Sequence, residues 1–246
     1  MHIIEKQIGE TPLEALERFR ATRPEFKDLP MTYAGRLDPM AEGKLIILVG
    51  EECKNENKDT YMGLDKEYEV EVVFGISTNT FDMLGIAEIT DVGHPTNATI
   101  DLDVSPYIGT FRQIYPPYSS KTVNGRQLHE LARADELPEE MPTKEVEIYS
   151  IELLGKSKVN ADQLKSRILN NIDKVTGDFR QKKIKERWNE VLSDQSRLFE
   201  VIKMRVKCSS GTYMRSLADR MGQDRGVGAF ALSIKRTKII SEVGPI

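Results

Sequence analysis

Cysteine and histidine are scarce in this 246-residue chain, and their scarcity narrows the available chemistry. Cys53 and Cys208 lie far apart, and His2, His94 and His129 stand away from both. Neither cysteine has the spacing of a thiolate metal site, so no metal site and no disulfide framework is expected. One pair in so long a chain suits a reducing cytoplasm. No apolar run approaches the roughly 18 residues that cross a bilayer, so no membrane partner is expected. The opening residues, MHIIEKQIGE, lack the basic and long apolar segments of a secretory leader. Internal repeats and low-complexity tracts are missing too. Net basic charge is also lacking: the chain carries −4, which argues against a nucleic-acid partner at first sight. The distribution reverses that inference. Residues 51–105 hold three Lys/Arg against thirteen Asp/Glu, whereas residues 201–240 hold nine against two. An acidic half and a basic half can build one basic face on a mildly acidic protein.

What is present is ordinary for a globular protein, with 39% apolar and 30% charged residues. Residues 2–5 suggest a short edge strand. Thr11-Pro12 suggests an N-cap and first helical position before the amphipathic LEALERFR. Residues 44–49 (KLIILV) form an apolar run between glycines, the pattern of a buried strand. Polar and apolar residues alternate over 66–74, 144–154 and 199–207, the period of half-buried strands. Helices are expected over 125–134 and 212–223. Before the first of them, Pro116 and Pro117 impose an extended loop. From about 157 to 198 two segments with helical spacing flank Gly177, and residues 156–190 carry ten Lys/Arg against five Asp/Glu. This stretch is expected to be a helical insertion. The fold class expected is α+β: a single catalytic domain over 1–246 with a mixed, largely antiparallel sheet flanked by helices.

The segment richest in chemical information is Tyr33-Ala34-Gly35-Arg36-Leu37-Asp38-Pro39-Met40-Ala41-Glu42-Gly43. Pro39 stiffens the backbone beside Asp38, and the two glycines permit tight turns and close backbone approach. A carboxylate on a rigid loop suits nucleophilic or base chemistry. From the residues alone, an Asp before Pro more often caps a local turn.

Six segments taken together decide the matter. GRLDPMAEG resembles the G-x-L-D-P-x-A-x-G motif of the TruB family of tRNA pseudouridine synthases. Lys66-Glu67-Tyr68 is similar to the family's K-x-Y strand. The run Gly75 to Gly85 resembles G-x-x-T-D-T-x-D-x-x-G, and Gln113 to Gly125 resembles its Q-x-P-x-x-Y-S-A-x-K-x-x-G segment. Cys208 to Arg215 resembles C-S-x-G-T-Y-I-R, and Ile234-Lys235-Arg236-Thr237 resembles L-R-R-T. The six stand in the family's order along nearly the whole chain.

The resemblance implies the pseudouridine synthase fold and a cofactor-free isomerisation of a uridine, with tRNA (its T-arm, position 55) as partner. It implies that Asp38 is catalytic, either attacking the ribose or taking its 2′ proton. Arg215 would pair with Asp38, and Tyr68 would stack on the flipped-out base. Tyr213 and Ile234 match positions lining the uracil pocket; from the residues alone they could equally be core. Tyr33 stands where bacterial members carry a histidine that contacts flipped nucleotides. Lys203, Lys207, Arg220, Lys235, Arg236 and Lys238 are candidates for phosphate contacts, with a solvated surface as the plain alternative. Other departures are Asn79 where Asp is usual, Lys6-Gln7 where Lys-Pro is usual, and Lys121 one place early. The chain ends too soon after Thr237 for the C-terminal PUA-type domain of many relatives. A monomer with no obligatory protein partner is expected. Two other functions remain open: the same reaction on another RNA, or RNA binding without catalysis.

Overall fold

The computed structural model describes residues 1–90, 101–241 and 244–245; His94 lies outside the described residues. The chain begins with β1 (His2–Lys6), α1 (Pro12–Ala21), β2 (Met31–Ala34) and β3 (Ala41–Val49). It continues through α2 (Asn55–Met62), β4 (Asp65–Phe74), β5 (Ile76–Thr78) and β6 (Ala87–Ile89). Next come β7 (Gly109–Ile114), β8 (Thr122–Val123), β9 (Arg126–Gln127), α3 (Leu128–Arg133) and β10 (Thr143–Asn160). The last elements are α4 (Ala161–Ile172), α5 (Gln181–Val191), β11 (Leu198–Cys208), α6 (Met214–Gln223), β12 (Ala229–Ser241) and β13 (Gly244–Pro245).

One sheet organises the molecule, in the order β1-β3-β12-β4-β11-β10-β7, with β2 beside β3 and β13 beside β12. Only the β3–β12 pairing is parallel among those described; the rest are antiparallel. The mixed sheet with flanking helices is therefore the architecture expected from the pattern. Local chemistry explains α1: the Thr11 hydroxyl accepts from the Glu14 amide at 3.2 Å, and the Glu14 carboxylate accepts from the Thr11 amide at 2.7 Å. This reciprocal cap satisfies backbone donors that a helix start leaves open. Gly43 is required by the parallel contact. Its φ is +104°, and a Cβ there would stand 2.3 Å from the Arg236 carbonyl oxygen.

Alternation along the central strands divides the core in two. Tyr68, Val70 and Val72 of β4 face one side, where they pack with Ile202, Met204 and Val206 of β11 and with Leu217 and Met221 of α6. Val73 of β4, Val201 of β11 and Phe230 of β12 face the other, under Leu164, Ile168, Ile184 and Trp188 of α4 and α5. Trp188 is fully buried, 5.2 Å from the Phe230 ring, and its indole N–H donates to the Met83 carbonyl at 2.9 Å. Each such large apolar side chain contributes about 1.5–3 kcal/mol on burial. The α4–α5 hairpin is thus anchored in the core.

Several boundaries differ from expectation. The strand expected over 144–154 runs on to Asn160, because the polar GKSKVN pairs through its backbone with Leu198–Lys203. Sheet pairing uses main-chain groups, so polar side chains do not end it. Residues 157–160 therefore belong to the strand and not to the helical insertion. The helix expected over 125–134 is confined to Leu128–Arg133, and β12 lies where no strand was read.

Candidate active site

Asp38 sits on the turn joining β2 to β3. The backbone there is held from below: the Ala41 amide donates to the Asp38 carbonyl at 3.0 Å. The ammonium of Lys6, itself buried, donates to the Ala41 carbonyl at 2.6 Å and the Pro39 carbonyl at 3.4 Å. Burial lowers the Lys6 pKa to about 8, with Asp38 and Glu10 acting against the shift. The Arg236 guanidinium donates to the Gly35 carbonyl at 2.9 Å and to Lys44 at 2.5 Å, pinning the other side of the turn.

Arg215 reaches this carboxylate from the first turn of α6, across 177 residues of chain. Its Nε donates to Asp38 Oδ2 at 2.8 Å, and its Nη1 and Nη2 donate to the carbonyls of Thr80 (2.8 Å) and Tyr118 (3.3 Å). Asp82 Oδ2 lies 3.7 Å from the same Nε, and Asp82 Oδ1 accepts from the Thr80 hydroxyl and the Leu84 amide. One buried guanidinium is thereby matched by two carboxylates and two carbonyls. Burial alone would lower the Arg215 pKa, but Asp38 and Asp82 outweigh it, and the group lies above its ordinary value. The pair is asymmetric. The Arg215 side chain is 3% exposed and that of Asp38 35%, so the acid faces the cleft while its partner forms the wall.

That cleft is a cavity of about 370 Å³ lined by Tyr33, Arg36, Asp38, Thr80, Asp82, Tyr118, Phe179, Arg180 and Arg215, among others. Its size lies in the range of small-molecule and nucleotide pockets. Arg180 carries a left-handed backbone (φ +64°, ψ 27°), which costs a non-glycine residue on the order of 1–2 kcal/mol. Its guanidinium lies 4.4 Å from the centre of the Tyr118 ring and donates to the Tyr118 hydroxyl at 2.7 Å. Among the described residues no three His, Cys, Asp or Glu side chains cluster to hold a metal ion, and no helix is long and apolar enough to cross a membrane.

Of the residues expected at the site, Asp38, Arg215 and Tyr33 come together on the cavity wall. Tyr68, Tyr213 and Ile234 are not among its lining residues: Tyr68 and Ile234 are buried, and Tyr213 is half-buried with its ring 5.6 Å from that of Tyr115. Tyr68 and Ile234 belong to the core cluster shared with Leu37 and Met214. Burial pushes the Tyr68 phenol up, opposed by Arg236 beside it. Burial and then Asp38 push Tyr213 up to about 12. Tyr213 is held by Gln113, which accepts from its amide at 2.7 Å and donates to its carbonyl at 3.1 Å.

Of the six phosphate-contact candidates only Arg236 is buried. None of the six lines the cavity. Arg236 is 1% exposed, and its guanidinium is spent on Gly35 and Lys44, so it buttresses the Asp38 turn and cannot meet a phosphate. Lys203, Lys207 and Lys235 stand in register with Glu71, Glu67 and Glu69, on the sheet face opposite Tyr68. Lys238 pairs with Glu67 at 3.1 Å on that same face. Arg220 stacks on Tyr107 and Phe111 and lies 3.6 Å from Asp224. Asp82, Thr80 and Tyr118 lie inside matched segments without having been singled out, and neither were Arg133, Phe179 and Arg180. The last two lie in the insertion, where no motif marked them.

Comparison with known proteins identifies the family. Residues 25–169 match the TruB family pseudouridylate synthase (N terminal domain). A tRNA pseudouridine synthase B from Aromatoleum aromaticum is 31% identical over 207 residues, 84% of this chain and 53% of that protein. Another, from Syntrophomonas wolfei, is 28% identical over 96% of this chain and 64% of its own length. The chain thus spans between half and two thirds of these curated relatives. The crystal structure of a Cbf5-Nop10-Gar1 complex shares the fold, with a TM-score of 0.53 at 16% identity over 96% of this chain and 48% of that one. The chain belongs to the TruB family of pseudouridylate synthases.

Proposed function

We propose that this protein is a tRNA pseudouridine synthase that isomerises the T-loop uridine at position 55 without a cofactor. The observation that carries the reading is the Asp38–Arg215 pair, a half-exposed carboxylate fixed by a buried guanidinium at the wall of a nucleotide-sized cavity. In the reaction the N1–C1′ bond breaks, the detached uracil turns, and a C5–C1′ bond forms. The hydrogen leaves carbon 5 and N1 takes one up, so the product is an isomer and no redox partner is consumed. Asp38 acts at the sugar, by attack on the ribose or by removing the 2′ proton. Arg215 is the positioning residue that holds it, with Asp82 and Thr80 fixing Arg215 in turn. The uridine enters by flipping out of its loop, at a cost of a few kcal/mol offset by pocket and backbone contacts. Tyr68, packed in the same cluster as the wall residue Leu37, stacks on the uridine once Leu37 yields. The protein acts in the cytoplasm as a monomer, with tRNA as its partner.

The test is tritium release from a T-arm stem-loop labelled at carbon 5 of uridine, with full-length tRNA in parallel. Wild type is expected to release tritium. Asp38→Asn should lower the rate by on the order of a thousandfold or more while RNA affinity stays within a few-fold. Turnover by Asp38→Asn would remove Asp38 from the mechanism. Binding without release by wild type would favour a non-catalytic RNA binder.

A further inference from the structure

The α4–α5 hairpin is inserted between β10 and β11, and its tip turns back into the cavity. This tip is fastened in place. The Gln181 side chain donates to the carbonyls of Val175 (3.1 Å) and Gly177 (2.8 Å) and accepts from the Phe179 amide (2.9 Å). Arg133, at the end of α3, donates to the Asp178 carbonyl at 2.8 Å. The tip therefore offers Arg180 from a set position.

Charge decides what such a group is for. The cavity's two carboxylates, Asp38 and Asp82, share Arg215, which leaves one negative charge over. Arg36, Arg133 and Arg180 also line it, and among the described residues none of these three has an ion-pair partner. The cavity thus carries unmatched positive charge on its outer wall. Arg180 spends one N–H on the Tyr118 hydroxyl, and its plane is set by the Tyr118 ring at 4.4 Å. A guanidinium oriented in this way presents its other donors as a fork suited to a phosphate. The charge continues outward: Lys182 and Lys183, both exposed, line an adjoining hollow with Arg180, tempered by Asp178 and Glu186. Tyr118 links this edge to the chemistry, since its carbonyl accepts from Arg215.

We propose that Arg180 is an RNA-positioning residue: it grips a backbone phosphate of the strand beside the nucleotide held at Asp38, and Lys182 and Lys183 guide that strand over the hairpin. The assignment rests on the RNA reading above. It makes the hairpin, otherwise a packing element, part of the substrate-binding surface.

Arg180→Asn is the informative variant, because Asn tolerates a left-handed backbone while removing the cation and its contacts with Tyr118. Filter binding across a salt series and tritium release over a range of RNA concentrations read its effect. The half-saturating RNA concentration should rise about tenfold. The slope of log affinity against log salt should fall by about 0.7, one phosphate's share. The saturated rate should fall far less than the affinity. Arg180→Lys should restore the slope and only part of the affinity, because an ammonium lacks the fork. Lys182→Ala/Lys183→Ala, at exposed positions that cannot compromise folding, should lower the slope as well. An unchanged slope and half-saturation in Arg180→Asn, with wild type active, would overturn this proposal alone. A fall in saturated rate at unchanged affinity would overturn it in favour of a role through Tyr118 and Arg215. Absent tritium release from wild type would defeat the reaction, while a reduced salt slope in Arg180→Asn would still support the phosphate contact.

Discussion

Arg205 and Arg215 are ten residues apart, and both face more than one carboxylate. Arg205 on β11 contacts Glu69 at 3.1 Å and Glu152 at 2.8 Å, with its side chain 37% exposed. Arg215 on α6 contacts Asp38 at 2.8 Å and lies 3.7 Å from Asp82, with its side chain 3% exposed. The partners are alike; the surroundings are opposite. Arg205 belongs to a ladder of Glu67, Glu69, Glu71, Lys203, Lys235 and Lys238 on an open sheet face, where water and salt screen every pair. Arg215 has no water to fall back on, so every donor must be met by protein. Counting basic residues along the chain picks out the ladder. The cavity needs the few that burial has made expensive.

The sharpest way to break this contrast is to remove each arginine. Arg215→Met leaves Asp38 and Asp82 without their shared counter-charge, and should cost about 3–5 kcal/mol in urea unfolding along with all measurable tritium release. Adding Asp82→Asn should recover part of that stability and none of the turnover. A single variant of near wild-type stability would show that the buried pair is less isolated than its exposure indicates.

The Lys6 ammonium sharpens the comparison through pH. Its folded pKa is about 8 against 10.5 for the ordinary side chain. Between those values the unfolded chain binds more protons than the folded one, so stability rises with pH. It is lower and flat below pH 8. The rise from this group is at most about 3 kcal/mol. Lys66, also lowered to about 8 by burial, adds a second rise of the same sign. The raised phenols of Tyr68 and Tyr213 act the other way above pH 10. Unfolding curves from pH 7.5 to 9.5, a window set by those values, should therefore climb for wild type and climb less for Lys6→Met. Parallel curves would mean that Lys6 reaches water.

The smallest effect belongs to the open face. Arg205→Ala should leave both the urea midpoint and the RNA affinity where they are, since its partners stay solvated. A salt-dependent loss of RNA binding in this variant would place the strand on the face opposite Asp38 and overturn the assignment of the cavity side.

Sequence and structure divide the explanation along a physical line. Contiguous features were legible: the Thr11-Pro12 helix start, the alternation of β4 and β11, the Asp38 turn between two glycines, and the Arg215 segment. Each depends on residues within a few positions of one another, and the six ordered segments carried the family. Long-range features were not legible. Which side of the sheet Lys203 occupies is set by strand pairing, because alternation defines two faces without saying which one meets the cavity. Arg236 reads as a surface cation until the close parallel approach of β3 and β12 turns it inward under the Asp38 turn. Phe179 and Arg180 reach the cavity only because Trp188 and Ile184 dock the hairpin on the sheet, a packing event far from either residue's own neighbours in the chain. The sequence by itself determined the Asp38 turn and the elements around it. Only the tertiary structure decided which cations share its cavity, because burial and facing depend on distant segments brought into contact.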